Sequence, residues 1–579
     1  MAKLLISCLF ISLIQYVLFG LQSHAVPYDH SYTPDCLAKP LKPQYNGGIV
    51  VNPELNEGLS GWTTLGEAKI KHAKSNDGNN YIVASNRNQS FHSFTQTFNL
   101  ETGKLYSFSA WLQLSHGNEE VTAILKTKTS NEIAGRIMAQ NGCWSMLKGG
   151  FVANASEPAQ LVFESHNTEV DIWADSISLQ PFTQEEWISH QEQNTERVRK
   201  TNIKFQAVDQ HGHPVPNATI SIRQSNSNFS VGMAINKNIL NNNAYQNWFT
   251  SRFKYTVFTN ELKWYSTESS RGSENYSISD ALVRFAQSHG VAIRGHNVFW
   301  DDPKFQPLWV NGLSTNDLRI AANKRIYSVM NKYKGQLFHW DVMNENLHFN
   351  FFESKLGFNA STIFYLEANK IDGKTIPFLN EYNTIEYKGD GASSPYKYLE
   401  KIRELRKHGY YGPLGIGLES HFSSSNLDLA YVRSAIDQLA SAKLPIWATE
   451  MDVSAGPNQA TYLEQILNEL HSHAAVQGIM VWAAWSPGGC NSRMCLVDNN
   501  FKNLPTGDVV DRFRSRLTYA EEVISATTDS NGFYQGPLYH GEYEVKIGHP
   551  NGVRFSESRQ IDVVPEETTG GIHRFTINV

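Results

Sequence analysis

Residues 337–345 of this chain, LFHWDVMNE, decide its fold. The stretch begins with an apolar run typical of a buried strand, and it ends on Asn344 and Glu345. A carboxylate at the end of a buried strand loses much of its hydration, so it either caps a loop or performs chemistry. The choice between these interpretations depends on whether a second carboxylate occupies a matching place elsewhere in the chain.

Seven other apolar segments between about residues 230 and 515 resemble this stretch, and amphipathic segments such as SDALVRFAQSHG and SPYKYLEKIRELRKHG separate them. The seven are SVGMAIN, KYTVFTN, VAIRGHNVFW, TIPFLNEYN, LGIGLESHF, PIWATEMDV and GIMVWAAW. Eight strand and helix units of this length predict a (β/α)8 TIM barrel over residues 229–519. Its active site would lie at the C-terminal ends of the strands.

The second carboxylate is Glu450, which follows the apolar run of PIWATEMDV at the predicted end of strand seven. Strands four and seven lie across the mouth of a barrel, so Glu345 and Glu450 are predicted to flank one bound sugar. Two carboxylates about 5 to 5.5 Å apart make a retaining glycosidase, in which one attacks the anomeric carbon and the other protonates the leaving oxygen. The charge of the nucleophile raises the pKa of the acid.

Composition excludes other classes of function. The chain has 50 basic and 56 acidic residues in an interspersed pattern, with a formal net charge of −6, so we expect no nucleic-acid partner. Aromatic residues make up 12% of the chain, which suits contacts with sugar faces, although most rings are expected in cores. The 579 residues exceed one hydrophobic core and predict a multidomain protein.

The N-terminus has the features of a secretory signal. Lys3 precedes a largely apolar run, and Ser23-His24-Ala25 resembles a signal-peptidase site, so residues 1–25 are predicted to be removed. An uncleaved signal anchor is the alternative, because the run approaches the length that spans a bilayer. We expect a secreted protein of the cell wall or apoplast, monomeric and without membrane association once the signal is removed.

Four cysteines remain after residue 25, and an even number in a secreted chain favours disulfides. Cys490 and Cys495 enclose a short loop and are expected to pair locally, which leaves Cys36 for Cys143, and we expect no metal site. Six N-glycosylation sequons agree with export. Their asparagines are Asn88, Asn154, Asn217, Asn228, Asn275 and Asn359.

Strand patterns predict two further domains. Residues 46–182 contain alternating runs such as YSFSAWLQL and VDIWADSISL, and they predict an all-β jelly-roll sandwich behind an N-terminal segment, 26–45. Residues 183–202 are polar, as expected of a connecting helix or linker. Residues 203–228 predict a β-hairpin that packs with C-terminal strands in 520–579. Because barrel termini lie close together, we interpret these two pieces as halves of one small β-sandwich that flanks the barrel.

Four segments, in the expected order, resemble glycoside hydrolase family 10, the endo-β-1,4-xylanases: FTNELKW, RGHNVFW, WDVMNEN and WATEMDV. The resemblance implies that Glu345 is the general acid/base and that Glu450 is the nucleophile. Asn344 resembles the residue that hydrogen-bonds the sugar 2-hydroxyl, a contact that strengthens in the transition state.

The resemblance also implies a set of substrate contacts. His421 matches the histidine that orients the nucleophile, and Trp482 matches a cleft tryptophan on strand eight. The other four residues match those that line the sugar subsites on the non-reducing side. Each has a structural alternative, such as core packing for a tryptophan or a solvated position for the lysine. The set is Asn260, Lys263, His296, Trp300, His421 and Trp482.

The chain departs from the family pattern at four positions. Thr259 stands where the family usually has Glu, Asp301 where it has His, Glu419 where it has Gln, and Cys490 where it has a cleft Trp. A third carboxylate, Glu419, near Glu450 predicts a coupled titration and an acidic working pH. Altered subsites leave open a non-catalytic xylan-binding wall protein, and a mannanase or glucanase on the same barrel is a further alternative.

The segments GGIVVNPELNEGLSGWTTLG and DIWADSISLQPF resemble a xylan-binding jelly roll, carbohydrate-binding module family 22. Trp62, Tyr106 and Trp111 are candidates for stacking on sugars, with core packing as the alternative. A tethered module would hold the barrel on an insoluble polymer by raising its effective concentration. The resemblance thus implies a secreted retaining endo-1,4-β-xylanase that acts on xylan or arabinoxylan without a cofactor. Transxylosylation and a structural calcium ion in the jelly roll are left open.

Overall fold

A computed structural model describes residues 26–490, 493–517, 524–550, 558–565 and 573–578. The predicted signal segment, 1–25, lies outside these residues. Among the helices that the described ranges contain, none is both long enough and apolar enough to cross a bilayer.

The N-terminal domain is a β-sandwich in which strand alternation directs one face of each strand inward. In one strand, for example, Val121, Ala123 and Leu125 are fully buried while their neighbours are not. A sheet in the order β2-β3-β11-β6-β9 faces a sheet in the order β5-β10-β7-β8, and β1 pairs with β4. The strands are β1 (Thr63–Leu65), β2 (Lys69–Lys74), β3 (Asn80–Ser85), β4 (Ser93–Thr95), β5 (Thr97–Asn99), β6 (Leu105–Leu114), β7 (Asn118–Lys126), β8 (Asn131–Gln140), β9 (Ser145–Val152), β10 (Pro158–Glu164) and β11 (Ile172–Phe182).

The three aromatic candidates for sugar stacking in this domain are packing residues. Trp62, Tyr106 and Trp111 are only 4%, 1% and 1% exposed. On one face of the larger sheet, Trp111 packs in a cluster to which Tyr32 and Leu37 of the N-terminal segment contribute. The disulfide between Cys36 and Cys143 fixes the segment there.

The predicted linker is a packed helix, α1 (Gln184–Arg199). Thr183 and Glu186 form a capping box at its start, which satisfies two otherwise unpaired backbone N–H groups. Trp187 on this helix is buried, and its indole N–H donates to Glu469 of the barrel. The helix continues directly into β12 (Lys200–Val208), which is followed by β13 (Thr219–Ser227). Of the two predicted alternatives for this segment, a connecting helix or a linker, the structure has the helix, and it packs against the barrel.

The barrel has the predicted eight-stranded parallel topology. Its strands run in the order β19-β18-β17-β16-β15-β14-β22-β21, and a pairing between β19 and β21 closes the ring. The sixth strand is interrupted after β19, and the short β20 resumes the pairing with β21. The strands are β14 (Ser230–Ile235), β15 (Tyr255–Phe258), β16 (Ala292–Trp300), β17 (His339–Asn344), β18 (Ile376–Glu381), β19 (Gly415–Leu418), β20 (His421–Phe422), β21 (Ile446–Val453) and β22 (Val476–Val481).

Amphipathic helices cover the outside of the barrel and bury their apolar stripes against the strands. They are α2 (Asn243–Thr250), α3 (Trp264–Thr267), α4 (Ser277–Ser288), α5 (Thr315–Lys332), α6 (Phe351–Leu356), α7 (Ala360–Ile371), α8 (Pro395–Lys407), α9 (Leu429–Ala440), α10 (Gln459–Ser472) and α11 (Pro505–Leu517).

Segments on both sides of the barrel form a small β-sandwich. In the described ranges one sheet has the order β24-β12-β27 and the other the order β23-β13-β25-β26. The prediction of a hairpin over 203–228 is wrong, because β12 and β13 lie in different sheets and pair with C-terminal strands instead of each other. Alternation identified both strands but carries no information about their partners. The C-terminal strands are β23 (Ile524–Thr527), β24 (Phe533–Tyr539), β25 (Gly541–Gly548), β26 (Arg559–Val563) and β27 (His573–Asn578).

The N-terminal sandwich is docked on helix α9 of the barrel. Gly150 of β9 permits this approach, since a Cβ atom there would lie 2.7 Å from the Ala430 carbonyl oxygen. Below this contact Asp437 is buried, and Lys148 Nζ of β9 lies 2.9 Å from its Oδ2. Strand β9 and helix α9 thus share both close backbone packing and a buried ion pair.

Candidate active site

Glu345 and Glu450 both lie at the C-terminal mouth of the barrel. Glu345 follows β17 directly and adopts a left-handed backbone conformation (φ +59°), while Glu450 lies within the last half of β21. The two side chains are largely buried, at 8% and 5% exposure.

Two amide side chains connect these carboxyl groups. Asn344 Nδ2 donates to Glu345 Oε1 (3.3 Å), and Asn344 Oδ1 accepts from Asn380 (2.8 Å). Asn380 Nδ2 also donates to Glu450 Oε1 (2.9 Å). The two glutamates therefore belong to one hydrogen-bonded network.

The environment of Glu450 favours its ionised form. Burial alone would raise the pKa of this carboxyl, but the nearby His296, His421 and Lys263 side chains outweigh that effect and hold it at about 2. His421 Nε2 lies 3.6 Å from Glu450 Oε2, and its Nδ1 lies 3.1 Å from Asp452 Oδ1. Glu450 is thus a carboxylate at any pH near neutrality, as a nucleophile must be.

The environment of Glu345 has the opposite effect. Burial is the largest cause and, with the charges of Glu381 and Glu450, raises the pKa of Glu345 to about 8 against the smaller effects of Trp300 and Lys263. Glu345 therefore keeps its proton at neutral pH and can deliver it. Two carboxyls whose pKa values are separated in this way divide the roles of acid and nucleophile.

His296 is held from below by a buried ion pair. Its Nδ1 lies 2.9 Å from Asp341 Oδ2, and Arg294 binds both oxygens of the same carboxylate at 2.6 and 3.2 Å. Arg294 and Asp341 are completely buried. This support directs the His296 ring toward Glu450, whose Oε1 is 3.7 Å away.

Lys263 lies between aromatic rings at one end of the cleft. Its Nζ is 4.5 Å from the ring centre of Trp300 and 5.9 Å from that of Trp482, and it donates to Asn260 Oδ1 at 3.4 Å. A cavity of about 250 Å³ opens here, lined by Asn236, Thr259, Asn260, Lys263, Trp482, Ala484 and Ser486. Trp300 stacks on Phe305, with ring centres 3.9 Å apart, so packing holds its face in place.

The four departures from the family pattern lie in different surroundings. Thr259 lines the cleft. Asp301 is fully buried and accepts the backbone N–H of Phe352 (2.9 Å), and burial raises its pKa to about 7. Cys490 forms a disulfide with Cys495. The prediction of altered subsites therefore does not extend to Asp301, which supports helix α6 from below.

Glu419 lies beside the nucleophile. Its Oε2 is 3.5 Å from His421 Nε2, and its Oε1 accepts weakly from Asn380 (3.3 Å). Burial, followed by the charges of Glu450 and Glu345, raises its pKa well above the usual range. Glu419 is therefore a neutral acid when Glu450 is ionised, so that of these two carboxyls beside His421 Nε2 only Glu450 carries a charge.

Sequence patterns alone did not single out Asn380, Glu381 and His348. Asn380 and Glu381 end β18 just as Asn344 and Glu345 follow β17, so the signal that marked the catalytic pair also applies to them. His348 bridges Glu381 Oε1 (2.6 Å) and Asp390 Oδ2 (2.9 Å). Burial lowers the pKa of His348, but these two carboxylates outweigh it and raise the value to about 9. This charged bridge fixes the loop that carries Glu345.

Two clusters have the residue types of a metal site. Glu419, His421 and Glu450 place ligand atoms within 4.8 Å of one another, as do His30, Asp437 and His473. In the first cluster the pKa of His421 is raised to about 10 by Asp452 and Glu450 despite burial, so a proton occupies the ring nitrogen. In the second, the ammonium of Lys148 already neutralises Asp437. In each cluster a carboxylate is therefore already paired with a cation of the chain itself.

The predicted export features are distributed over the surface. All six sequon asparagines, at 88, 154, 217, 228, 275 and 359, have exposed side chains.

Comparison with known proteins adds an independent line of evidence. The chain matches the model of glycosyl hydrolase family 10 over residues 221–511 and that of a carbohydrate binding domain over 47–170. It is 41% identical over 498 residues to "Endo-1,4-beta-xylanase 5" of Arabidopsis thaliana, which covers 84% of this chain and 87% of that protein. It is 38% identical over 579 residues to "Endo-1,4-beta-xylanase 5-like" of the same plant, covering 99% and 98%.

Among solved structures, xylanase 10B from Thermotoga petrophila RKU-1 in complex with xylobiose is 22% identical. The match has a TM-score of 0.44 and covers 50% of this chain and 94% of that chain.

Proposed function

The chain belongs to glycosyl hydrolase family 10, and we propose that it is a retaining endo-1,4-β-xylanase that hydrolyses internal β-1,4-xylosidic bonds of xylan. The observation that carries this proposal is the hydrogen-bonded network that joins Glu345 to Glu450 through Asn344 and Asn380 at the mouth of the barrel. In addition, the pKa of Glu450 is lowered to about 2, so that this group is ionised, and the pKa of Glu345 is raised to about 8, so that this group keeps its proton at neutral pH. This is the division of roles that double displacement needs.

In the first step, a Glu450 oxygen forms a bond to the anomeric carbon as the bond from that carbon to the leaving oxygen breaks. The proton of Glu345 passes to the leaving oxygen, which departs as the hydroxyl of the aglycone. Loss of this proton leaves Glu345 as a carboxylate. Asn380 donates to Glu450 and so holds the attacking carboxylate in place.

In the second step, Glu345 acts as a base on a water molecule. The water oxygen forms a bond to the anomeric carbon, its proton returns to Glu345, and the ester bond to Glu450 breaks. Two inversions at one carbon give net retention. In this proposal Asn344, which hydrogen-bonds Glu345 and Asn380, also bonds the sugar 2-hydroxyl while positive charge develops on the ring.

No cofactor enters this sequence of steps, since both proton transfers and the nucleophile come from side chains of the chain. A xylo-oligosaccharide in place of water in the second step would give transxylosylation. We also propose that the protein is a secreted monomer that acts on cell-wall xylan or arabinoxylan. The exposed sequons and the two disulfides support secretion.

The test is hydrolysis of linear xylan, mannan and β-glucan, with the first-formed anomer followed by proton NMR. We expect cleavage of xylan alone, with the β-anomer appearing before mutarotation. Release of the α-anomer would contradict the double displacement. Activity confined to mannan or glucan, or binding of xylan without cleavage, would replace the proposal by one of the alternatives that the departures from the family pattern left open.

A further inference from the structure

The loop between β18 and α8, residues 382–394, joins the mouth of the barrel to the N-terminal sandwich. On the side of the mouth, Glu386 Oε1 accepts the backbone N–H of His421 at 3.0 Å, and its Oε2 accepts that of Ile385 at 2.9 Å. His421 Nε2 lies 3.6 Å from an oxygen of the nucleophile, Glu450. One carboxylate of the loop therefore holds the residue that contacts the nucleophile.

Glu386 acts at the interruption of strand six. The pairing of β18 with β19 ends at Leu418, and β20 begins at His421. Between these strands Ser420 adopts a left-handed backbone conformation (φ +66°). Beyond the end of the β18 ladder an N–H group on that side needs another acceptor, and the side chain of Glu386 supplies it. The position of His421 thus depends on the loop as well as on β21, with which β20 pairs.

Two residues beyond Glu386, Lys388 connects the same loop to the N-terminal sandwich. Its Nζ lies 3.1 Å from Glu132 Oε2 on β8 and 2.7 Å from Asp428 Oδ2 at the start of α9. Arg136 Nη2 of β8 donates to the Lys388 carbonyl oxygen at 3.2 Å. Burial alone would lower the pKa of Lys388, but the two carboxylates outweigh it and raise the pKa, so the side chain stays charged.

The Lys388 ammonium stands between carboxylates of two domains. Glu132 is fixed by Asn154, whose Nδ2 donates to Glu132 Oε1 at 3.1 Å, and a glycan on this amide would leave one N–H for the bond. Asp428 is fixed by the backbone N–H of Tyr431, at 3.0 Å. Without the ammonium the two fixed carboxylates would repel each other across the junction, and the loop would lose its connection to both.

We propose that Lys388 is a positioning residue for the catalytic mouth. Its ion pairs hold the loop from which Glu386 fixes His421, and His421 in turn contacts the nucleophile. The inference rests on the proposed function, because the position of His421 affects the chemistry only if Glu450 is the nucleophile. It makes the N-terminal sandwich a part of the catalytic unit, independently of any sugar that this domain binds.

The junction lies at the end of α9 that is nearest the mouth. Asp428 caps this end, whereas Asp437, the partner of Lys148, lies about 13 Å further along the helix axis. The ion pair of Asp437 can therefore be changed without altering the contacts of Lys388.

The test measures how fast the glycosyl-enzyme forms from an aryl xylobioside, by the burst of released aryl alcohol. A disaccharide held in the cleft leaves no polymer to bind the sandwich, so the sugar affinity of that domain does not enter the rate. The proteins span residues 26–579 and are secreted into a bacterial periplasm, where disulfides form. The variants are Lys388→Met, Glu132→Gln and the two combined. Lys397→Met, in an exposed ion pair on α8, is the matched control.

Lys388→Met should lower the rate constant of glycosyl-enzyme formation about tenfold and leave the substrate concentration at half-maximal rate unchanged, because the nucleophile is displaced while the glycone contacts are not. Glu132→Gln keeps the pair of Lys388 with Asp428 and should lower the rate by no more than about twofold. The combined variant removes the repulsion together with the ammonium, so it should be about threefold faster than Lys388→Met. The control should match the wild type.

Rescue by a change in the other domain separates positioning from a local effect on α9. If Lys388→Met and the combined variant lose the same rate, Lys388 acts through Asp428 alone and the role of the sandwich is refuted. A lower Tm for Lys388→Met with an unchanged rate at 25 °C would assign the junction to stability alone and overturn the inference. A wild type that forms no glycosyl-enzyme and leaves linear xylan intact overturns the proposed function itself.

Discussion

Two groups of buried charges in this molecule are balanced in opposite ways. We call them the cleft cluster (Glu345, Glu419, Glu450, His421 and Lys263) and the interface cluster (Asp437, Lys148, His30, His473 and Tyr28). In the cleft cluster three carboxyls compete for few donors, and one nitrogen of His421 lies 3.5 Å from Glu419 and 3.6 Å from Glu450.

In the interface cluster one carboxylate has four partners. Asp437 receives His30 Nδ1 at 2.7 Å, Lys148 Nζ at 2.9 Å, the Tyr28 hydroxyl at 3.0 Å and His473 Nε2 at 3.1 Å. Burial would raise the pKa of Asp437, but Lys148, His30 and His473 outweigh it and hold the pKa well below its usual range.

The difference separates a structural charge from a chemical one. A buried charge with all its partners stays ionised and holds elements together, and removing it leaves its partners unpaired. Carboxyls that compete for donors keep an exchangeable proton, which is what acid and base catalysis needs. Substitutions in the two clusters should therefore affect different measurements.

The largest effect is expected from Glu450→Ala. Without the nucleophile the first bond to the anomeric carbon cannot form, so kcat on xylan should fall by about 10⁵-fold or more. Calorimetry should show a Tm near that of the wild type, because Glu419 can ionise once Glu450 is gone and so keep a negative charge beside His421. A large fall in Tm would mean that the cleft cluster holds the fold as the interface cluster does.

Glu345→Ala should lower kcat on xylan by about 10²- to 10⁴-fold, since proton delivery and water activation are lost. An aryl xylobioside with a good leaving group needs no proton in the first step, so formation of the glycosyl-enzyme should remain fast. Azide should then restore turnover and give a β-configured glycosyl azide. Equal losses on xylan and on the aryl substrate would assign Glu345 another role.

In the interface cluster, Asp437→Asn should act on stability and leave the chemistry unchanged. The amide keeps the shape of the side chain but leaves the buried ammonium of Lys148 without its counter-charge, which costs about 3–5 kcal/mol of unfolding free energy. Urea unfolding measures this loss, and kcat on xylan at 25 °C should stay near the wild-type value. Asp35→Asn, at an exposed aspartate, is the control.

An Asp437→Asn variant as stable as the control would show that packing alone holds the sandwich on α9. Loss of kcat without loss of stability would instead connect the interface to the cleft. That connection has a route, since Lys388, on the loop after β18, contacts Glu132 of the sandwich at 3.1 Å.

Most of the barrel could be predicted from the sequence because burial imposes local periods. Apolar runs of strand length alternate with amphipathic helical segments, and each period is visible without knowledge of contacts. The same argument placed Glu345 directly after its strand, where the structure has it, and Glu450 at the end of its strand, whereas β21 continues beyond Glu450 to Val453. The argument did not predict the direction of the Asp301 side chain, because a residue one position beyond Trp300 can point into the cleft or beneath it. In the structure Asp301 lies beneath the cleft and accepts a backbone N–H group of α6.

Long-range partners could not be predicted in the same way. Strand alternation identified β12 and β13 but not their separation into two sheets. Local sequence does not predict the hydrogen bonds of Asn380 to Asn344 and Glu450, because these residues are distant along the chain. For the same reason it does not predict the four partners of Asp437. The docking of the N-terminal sandwich on the barrel depends on such contacts, and the sequence therefore predicted the two domains without predicting how they pack together.

The smallest and most specific effect is expected from Glu419→Gln. In the unfolded chain a glutamate releases its proton near pH 4.3. Folded Glu419 keeps its proton to a higher pH because burial, Glu450 and Glu345 raise its pKa. Between these two pKa values only the folded state binds the proton, so the wild-type free energy of unfolding falls as pH rises, by about 1.4 kcal/mol per pH unit from this group. The amide has no proton to lose, so the variant should gain stability relative to the wild type at each step from pH 5 to pH 7.

Calorimetry at pH 5, 6 and 7 measures this divergence as a difference in Tm that widens with pH. Glu192→Gln, at an exposed glutamate on α1, is the matched control, and its difference should stay constant. Activity at pH 5 should change little, because an amide and a neutral acid have similar shapes and neither adds a charge beside Glu450. A difference in Tm that stayed constant with pH for Glu419→Gln would mean that the folded protein ionises Glu419 as readily as the unfolded chain does. The cleft cluster would then hold two adjacent charges, and the expected acidic working range would lose its physical basis.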